Sequence, residues 1–270
     1  MNINERAMVD ILVELRERYH VTGVKAEFEA EGTRIEEAMM LKNVVSRSGL
    51  GLNLKVGGCE AIKDMFDAAA LGAERIIGPM VETPYALRKF LGAARIAFFN
   101  GAYEDMGLLI NLETITSFHN FDAMLELPEI DQLDGIVIGR VDLTGSLGLS
   151  RDDVNSQRIL DLSLEAASKA KAKGLEVVVG GGISADSQAF LRAFPAGHLD
   201  RFETRKVIFG CPGALDNPKE AFLRAVQFEL LWLRNKRDHY GAIHHEDEKR
   251  IAMMEARYQK GISALGKEPG

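Results

Sequence analysis

Residues 107–114 read Gly-Leu-Leu-Ile-Asn-Leu-Glu-Thr, and residues 135–143 read Gly-Ile-Val-Ile-Gly-Arg-Val-Asp-Leu. Each stretch is a nearly continuous apolar run, which is typical of a strand buried on both faces of a parallel sheet. The first run ends at Glu113 and the second at Asp142. Because the carboxyl ends of parallel strands meet at one edge, the two acids are predicted to lie together where α/β proteins carry their chemistry.

Similar apolar stretches alternate with amphipathic helical stretches along most of the chain. The predicted strands are Gly23–Phe28, Leu50–Val56, Arg75–Gly78, Ile96–Phe99, Gly107–Glu113, Gly135–Gly139, Leu175–Val179 and Phe202–Phe209. Eight strands alternating with helices predict an α/β fold of the (β/α)8 TIM-barrel type, for which 270 residues suffice. For residues 96–99 the alternatives are a hairpin strand or an excursion outside the barrel, because the turn signal Asn-Gly follows. Residues 4–19 are predicted to be helical, and no strand precedes them. A barrel that needs a strand there has to be irregular.

The C-terminal part has a different pattern, which predicts a barrel over residues 1–217 and a helical extension over residues 218–270. Phe222, Val226, Leu230 and Leu233 fall at helical spacing, and a charged stretch over residues 234–250 precedes a second predicted helix. The extension either packs on its own barrel or docks on a neighbouring subunit.

Composition narrows the class of partner. The formal net charge of −7 argues against a nucleic acid or an anionic membrane. The two cysteines give no disulfide framework and fit a reducing compartment. The N-terminal residues lack the apolar core of a signal peptide, and nowhere do 18 apolar residues run together. We therefore expect a cytoplasmic protein with a small-molecule substrate and with neither nucleic acid nor membrane as partner.

Two acids at the ends of buried strands suit a hard divalent cation. Mg²⁺ and Mn²⁺ prefer oxygen ligands and often take one or two protein carboxylates, which leaves positions for substrate oxygens. Such a metal, held by Glu113 and Asp142, would chelate a 2-oxo acid and act as a Lewis acid on its enolate oxygen. The alternative is that each carboxylate caps a helix or pairs with an arginine.

Three motifs carry a resemblance to a known family. Residues 110–114 (Ile-Asn-Leu-Glu-Thr) resemble the metal-binding strand end of the HpcH/HpaI aldolase/citrate lyase family. Residues 139–148 are similar to that family's second metal motif, and residues 79–83 (Pro-Met-Val-Glu-Thr) to another of its strand ends. The resemblance, which covers residues 23–150, implies a barrel of the phosphoenolpyruvate/pyruvate superfamily that cleaves or forms carbon–carbon bonds through a pyruvate-like enolate. It also implies Mg²⁺ or Mn²⁺ as cofactor and a homo-oligomer, a trimer or hexamer, with exchanged C-terminal helices.

The sequence departs from the family pattern at two positions. Ala30 stands where the family's aldolases carry a histidine that assists proton transfer. Lys55 stands where the family supplies an arginine to the substrate carboxylate and enolate. Lysine keeps the positive charge but lacks the bidentate fork of arginine. We expect Lys55 to neutralise the substrate, whereas the proton-transfer group has to lie elsewhere.

Nearby residues are candidates for the missing roles. Lys25, Glu27 and Glu29 alternate along one predicted strand and therefore point to the same side. Glu29 or a metal-bound water is the candidate for proton transfer. Lys25 is a candidate for substrate binding, and a Schiff-base role for it is an alternative.

The second metal motif offers further substrate contacts. Arg140 is predicted to face an anionic substrate, with a solvated loop arginine as the alternative. Backbone N–H groups beside Asp142, at Gly139 and Val141, are expected to contact the substrate carboxylate.

Gly180-Gly181-Gly182 follows a predicted strand and opens a predicted helix. Gly181 and Gly182 are candidates for anion binding through backbone N–H groups, because barrels often bind phosphate after their seventh strand, where the predicted count places this turn. A phosphosugar-binding barrel enzyme that uses this turn is therefore one rival hypothesis. A non-catalytic barrel of the same family is the other, since the histidine and arginine are missing.

Overall fold

The computed structural model describes residues 1–216 and 218–265, and in that part of the chain eight strands close into a barrel in chain order. The strands are β1 (Val21–Glu27), β2 (Gly51–Lys55), β3 (Arg75–Gly78), β4 (Gly107–Leu112), β5 (Gly135–Gly139), β6 (Glu176–Gly180), β7 (Arg201–Glu203) and β8 (Val207–Gly210). Strands β1 to β7 are parallel, whereas β8 runs antiparallel to both β7 and β1. The predicted barrel is thus confirmed, with one strand reversed.

Ten α-helices accompany the strands within the described residues. They are α1 (Ile3–Tyr19), α2 (Ile35–Arg47), α3 (Ile62–Leu71), α4 (Pro84–Ala97), α5 (Ala102–Asp105), α6 (Ile115–Leu125), α7 (Arg140–Ser146), α8 (Gln157–Ala172), α9 (Gln188–Arg192) and α10 (Pro218–Ala264). None of the helices in these residues is long and apolar enough to cross a membrane.

Two predicted strands are wrong, and their errors cancel in the count. Within the stretch 96–99, Ile96 and Ala97 end α4 and the other two residues follow it. Thr83 caps the start of this helix by accepting a hydrogen bond from the Ala86 N–H at 3.1 Å. Helix α4 buries Phe90, Ala94 and Ala97 at helical spacing, so the apolar residues there follow the helical period. The predicted strand 202–209 is two strands joined by a turn, in which the Thr204 and Val207 backbones hydrogen-bond to each other.

The reversed strand completes the barrel in the absence of a strand before α1. Val24 of β1 pairs with Val207 of β8, and Val21 pairs with Phe209. The chain enters the barrel from α1, so the closing strand comes from the β7–β8 hairpin. The antiparallel pairing of β8 with β1 is therefore the irregularity that the helical N-terminus predicts.

Helix α10 is one continuous helix of 47 residues, so the predicted break in the charged stretch is wrong. Its first half buries Ala225, Phe228 and Trp232 and packs along α1. Beyond Tyr240, whose hydroxyl donates to Glu37 at 2.7 Å, residues 241–261 are all exposed. Asn217 and residues 266–270, which belong to the predicted boundary and tail, lie outside the described residues.

The barrel interior is apolar on one side and charged on the other. Ile77, Leu109, Val137 and Val178, one from each of β3 to β6, form a separate buried cluster. Lys25, Glu27, Lys55 and Glu203, from β1, β2 and β7, are also buried. Burying charges is costly unless they are paired, and here Lys25 pairs with Glu27 and Glu203, while Lys55 pairs with Glu113.

Candidate active site

A cavity of about 690 Å³ opens at the carboxyl ends of the parallel strands. Most of the candidate residues line it: Lys25, Glu29, Lys55, Glu113, Gly139, Val141, Asp142, Gly181 and Gly182. The cavity extends to α10, where Phe222, Leu223 and Val226 form part of its wall. The structure therefore brings together residues that are far apart in sequence.

Glu113 follows β4 directly and is 1% exposed. Its Oε1 accepts a hydrogen bond from the Met80 backbone N–H at 2.9 Å, and its Oε2 accepts one from the Asn111 side-chain amide at 2.6 Å. Met80 has a φ of 48°, an uncommon conformation for a side-chain-bearing residue. Burial raises the pKa of Glu113. The carboxylate is thus held in a fixed orientation at an energetic cost.

Asp142 lies in the first turn of α7 and is exposed at the same cavity. Its negative charge adds to burial in raising the pKa of Glu113. Both acids line the same cavity, and their role as a pair of metal ligands stays a prediction.

Lys55 extends between two carboxylates. Its Nζ lies 2.9 Å from Glu29 Oε2 and 3.4 Å from Glu113 Oε2. Burial alone would lower the pKa of Lys55, but Glu113 and Glu29 outweigh it and the pKa is raised. Lys55 is therefore a firmly held positive charge beside the acid pair.

Lys25 forms a second buried ion cluster. Its Nζ lies 2.9 Å from Glu27 Oε1 and 2.6 Å from Glu203 Oε1. Burial opposes the charge, but the two carboxylates prevail and the pKa of Lys25 is raised. A Schiff base requires the neutral amine, so this environment argues against that alternative for Lys25.

The side chain of Arg140 does not line the cavity, although Gly139, Val141 and Asp142 on either side of it do. It is fully buried, and its guanidinium donates to carbonyl and side-chain oxygens of the protein. The predicted contact between Arg140 and an anionic substrate therefore has no geometric support, because the donors face the protein interior.

The glycine turn follows β6, so its predicted place after a seventh strand is wrong. Gly181 and Gly182 have φ values of 76° and 66°, which explains why glycine occupies them. The turn leads into a single 3₁₀ turn (Ala185–Ser187) and the five-residue helix α9. The long helix whose dipole would favour a phosphate does not follow it.

The donor set fits a divalent cation. Within residues 1–216 and 218–265 no group of three or more histidine, cysteine, aspartate or glutamate side chains could hold a metal. Two carboxylates at one cavity match the habit of Mg²⁺ and Mn²⁺, which fill their remaining positions with water or substrate oxygens. Glu113, ordered by two donors, and the exposed Asp142 provide that pair.

Sequence reasoning missed two contributors to the site. Asn111 orients Glu113, and its position two residues earlier on the same strand is the signal that it shares a side with that acid. The Met80 N–H is the other contributor, and no side-chain pattern reveals it. Glu203 on β7 accepts a hydrogen bond from Lys25 Nζ at 2.6 Å, although the two residues lie far apart in sequence.

Comparisons with known proteins point to one family. The model of the HpcH/HpaI aldolase/citrate lyase family matches residues 47–191, more than half of the chain. A 2-keto-3-deoxy-L-rhamnonate aldolase of Klebsiella pneumoniae is 31% identical in an alignment of 141 positions, and the match covers 42% of this chain and 51% of that protein. A hydroxypyruvate/pyruvate aldolase of Roseobacter denitrificans is 28% identical in an alignment of 166 positions, and the match covers 52% of this chain and 62% of that protein. The chain thus spans between half and two thirds of the length of these curated relatives.

Solved structures share the architecture. The citrate synthase SbnG superposes with a TM-score of 0.59 at 16% identity, over 87% of this chain and 91% of that one. An HpcH/HpaI aldolase from Desulfitobacterium hafniense DCB-2 gives a TM-score of 0.57 at 14% identity, over 71% and 79%. At these identities the likeness establishes the barrel fold.

Proposed function

Because the chain belongs to the HpcH/HpaI aldolase/citrate lyase family, we propose that it is a divalent-metal-dependent carbon–carbon lyase, or runs the reverse condensation, on a pyruvate-like 2-oxo acid. The observation that carries the proposal is the buried, two-donor-oriented Glu113 beside Asp142 and Lys55 in one cavity. The aldolase relatives support the reaction class, and the choice of 2-oxo acid rests on the site.

Glu113 and Asp142 are the residues that would hold Mg²⁺ or Mn²⁺. A divalent cation bound there supplies Lewis-acid stabilisation of the negative charge on an enolate oxygen. Asn111 and the Met80 N–H keep Glu113 from rotating away, so little reorganisation accompanies binding.

Lys55 would neutralise the substrate carboxylate or enolate. Its ammonium is already desolvated and lies at the cavity, so its charge acts at low dielectric and more strongly than in water. A lysine gives a point charge without the planar fork of arginine, so orienting the carboxylate requires another donor. The Val141 N–H, in the first turn of α7, is the proposed donor, since such groups have no partner within their helix. Gly139 lies inside the β5–β6 pairing and is less suited to that contact.

Glu29 is the proposed proton-transfer group. Its side chain lines the cavity and is 27% exposed, so protons and substrate can reach it. Its Oε2 is paired with Lys55 Nζ at 2.9 Å. A carboxylate held beside an ammonium in this way can move a proton at the carbon next to the keto group once substrate engages Lys55.

The proposal is tested by titrating Mn²⁺ into metal-stripped protein by calorimetry, with and without oxalate, which stands in for the planar enolate of pyruvate. We expect oxalate to strengthen Mn²⁺ binding and both Glu113→Gln and Asp142→Asn to abolish it. Glu126→Gln, a change at a surface ion pair far from the cavity, is the matched control and should bind as the unmodified chain does. Metal binding that is indifferent to both acids would refute the proposed site.

A second measurement reports the chemistry without the unknown partner substrate. Enolisation exchanges the methyl protons of pyruvate for deuterium in D₂O, which proton NMR follows directly. We expect metal-dependent exchange that Glu29→Gln slows. Phosphate added to the same titration tests the phosphosugar alternative, and exchange that is absent with metal bound would favour the non-catalytic barrel.

We further propose that the protein is a homo-oligomer, a trimer or a hexamer, as the family resemblance implies. Leu223, Val226, Leu230 and Leu233 form an exposed apolar stripe on α10, each between 44% and 69% exposed. The stripe adjoins the cavity, and the second half of α10 projects past the barrel without a partner in the described residues. Light scattering on the full chain tests this, and a monomer at micromolar concentration would contradict it. Cytoplasmic location stays a prediction.

A further inference from the structure

Arg140 joins three segments of the cavity wall. From α7 its Nη2 donates to the Gly181 carbonyl at 2.8 Å, and its Nε donates to the Gly180 carbonyl at 3.2 Å. Its Nη1 donates to Asn155 Oδ1 at 2.7 Å, in the 3₁₀ turn Arg151–Asn155. The guanidinium carbon lies 4.5 Å from the ring centre of Phe190. One side chain of α7 thus contacts the glycine turn, the 3₁₀ turn Arg151–Asn155 and α9.

This arrangement is expensive for a purely structural residue. No carboxylate pairs with Arg140 among the described residues, and its side chain is fully buried. Burial lowers the pKa of Arg140 to about 10, so the group is still charged at neutral pH. A buried cation without an anion is tolerated when carbonyl oxygens satisfy its donors, and here two of the three carbonyls, those of Gly180 and Gly181, belong to the glycine turn, while the third is that of Val154.

The glycine turn also presses against the start of α7. A Cβ added to Gly181 would lie 2.7 Å from the Val141 nitrogen and 2.8 Å from the Arg140 nitrogen. The turn and the backbone that leads to Asp142 are therefore in direct contact. A shift of the turn would displace the Val141 N–H and the Asp142 carboxylate with it.

We propose that Arg140 is a positioning residue, which sets the place of Asp142 and the Val141 N–H by holding the turn Gly180–Gly182 against the start of α7. The catalytic part of this inference rests on the proposed function, whereas the structural part stands by itself. Arg140 touches neither substrate nor metal in this scheme. It acts through the turn, so it differs from the substrate-facing role that the sequence suggests.

Two variants and one control separate positioning from general stability. Arg140→Lys keeps the charge, but a lysine cannot reach both glycine carbonyls and Asn155. Asn155→Ala removes a single contact, the hydrogen bond from Arg140 Nη1 to Asn155 Oδ1. Arg201→Lys is the matched control, because Arg201 is also a buried arginine but pairs with Glu176 at the opposite end of the barrel. Each variant is assayed well below its own unfolding temperature.

Amide hydrogen exchange by mass spectrometry tests the structural part. We expect Arg140→Lys to raise exchange in peptides that cover residues 180–184 by at least about tenfold, and Arg201→Lys to leave those peptides unchanged. Equal exchange in the unmodified chain and Arg140→Lys would overturn the proposal, whatever the protein catalyses.

Pyruvate deuterium exchange tests the catalytic part. Misplacing a reacting group by about 1 Å can cost about a hundredfold in rate, so Arg140→Lys should lower kcat/KM by about ten- to a hundredfold, with a smaller loss for Asn155→Ala. The kcat/KM of Arg201→Lys should stay within about twofold of that of the unmodified chain. If kcat/KM falls as much in Arg201→Lys as in Arg140→Lys, the proposal that Arg140 is a positioning residue is overturned. If the unmodified chain shows no exchange with metal bound, the proposed function fails instead, and the hydrogen-exchange result still decides the role of Arg140.

Discussion

Gly181→Ala is the change that best tests the packing at the cavity wall. Gly181 has a φ of 76°, and an added Cβ would lie 2.7 Å from the Val141 nitrogen. Contacts shorter than 3 Å do not occur for real Cβ atoms, so the turn or α7 has to move. Gly174, at the end of α8, has the same φ of 76°, but a Cβ there would meet nothing within 4 Å. Gly174→Ala therefore isolates the cost of the left-handed backbone alone.

The magnitudes follow from these two environments. An alanine in the left-handed conformation costs about 1–2 kcal/mol, and this cost lowers the free energy of unfolding of both variants. Forcing extra volume into a packed site adds about 1–3 kcal/mol, which applies to Gly181→Ala only. We therefore expect the free energy of unfolding to fall by about 1–2 kcal/mol for Gly174→Ala and by about 2–5 kcal/mol for Gly181→Ala.

Urea unfolding followed by tryptophan fluorescence measures both variants, since Trp232 is the single tryptophan and is buried. The same two variants are titrated with Mn²⁺ and oxalate. Gly181→Ala should weaken the oxalate-enhanced binding by about tenfold, because α7 carries Asp142, whereas Gly174→Ala should not change it. Equal stability losses, or unchanged binding in Gly181→Ala, would refute the contact between the turn and α7.

Three further changes probe the charges and the long helix. Lys55→Met removes the ammonium that lies 3.4 Å from Glu113 Oε2 and that repels a cation and attracts an anion. By calorimetry, Mn²⁺ should therefore bind about tenfold more tightly and oxalate about tenfold more weakly. If both affinities changed in the same direction, the assigned role of Lys55 would be contradicted. Lys25→Met leaves two buried carboxylates unpaired and should cost about 3–5 kcal/mol of unfolding free energy. Because the folded-state pKa of Lys25 lies above its ordinary 10.5, this loss of unfolding free energy should stay constant from pH 7 to about 10 and shrink as the pH rises further. Urea unfolding of both proteins at several pH values measures the loss, and a loss that already shrinks below pH 9 would contradict the raised pKa. Trp232→Ala should lower the free energy of unfolding by about 3–5 kcal/mol, since Trp232 is a large, buried side chain of the helix that packs along α1. A loss below about 1 kcal/mol would show that the predicted extension over residues 218–270 is a separate unit.

The sequence predicts the parts of the site that lie on regular strands. Glu113 and Asp142 are recognisable because each ends an apolar run, and the period of the strand places Lys25 and Glu27 on one side. The direction of β8 could not be predicted in this way, because no glycine or proline within residues 202–209 marks the turn after Thr204.

The surroundings of Arg140 are equally beyond prediction from the sequence. Its partners, the Gly180 and Gly181 carbonyls and the side chain of Asn155, come from segments that only the closed barrel brings together. A sequence pattern shows that an arginine follows Gly139, but the direction of its side chain depends on that tertiary packing. The same holds for Glu203, whose partner Lys25 comes from the other end of the chain.

The reversed strand β8 has a consequence for how the protein is made. Its pairing with β1 joins the two ends of the chain, and α1 packs along α10 at the same seam. A ribosome releases the N-terminal segments first, so α1 emerges before α10 exists to pack on it. The barrel cannot close until β8 has been made, because β8 is the strand that pairs with β1. Until α10 follows, the face of α1 on which it packs is uncovered, and chaperones bind surfaces of this kind.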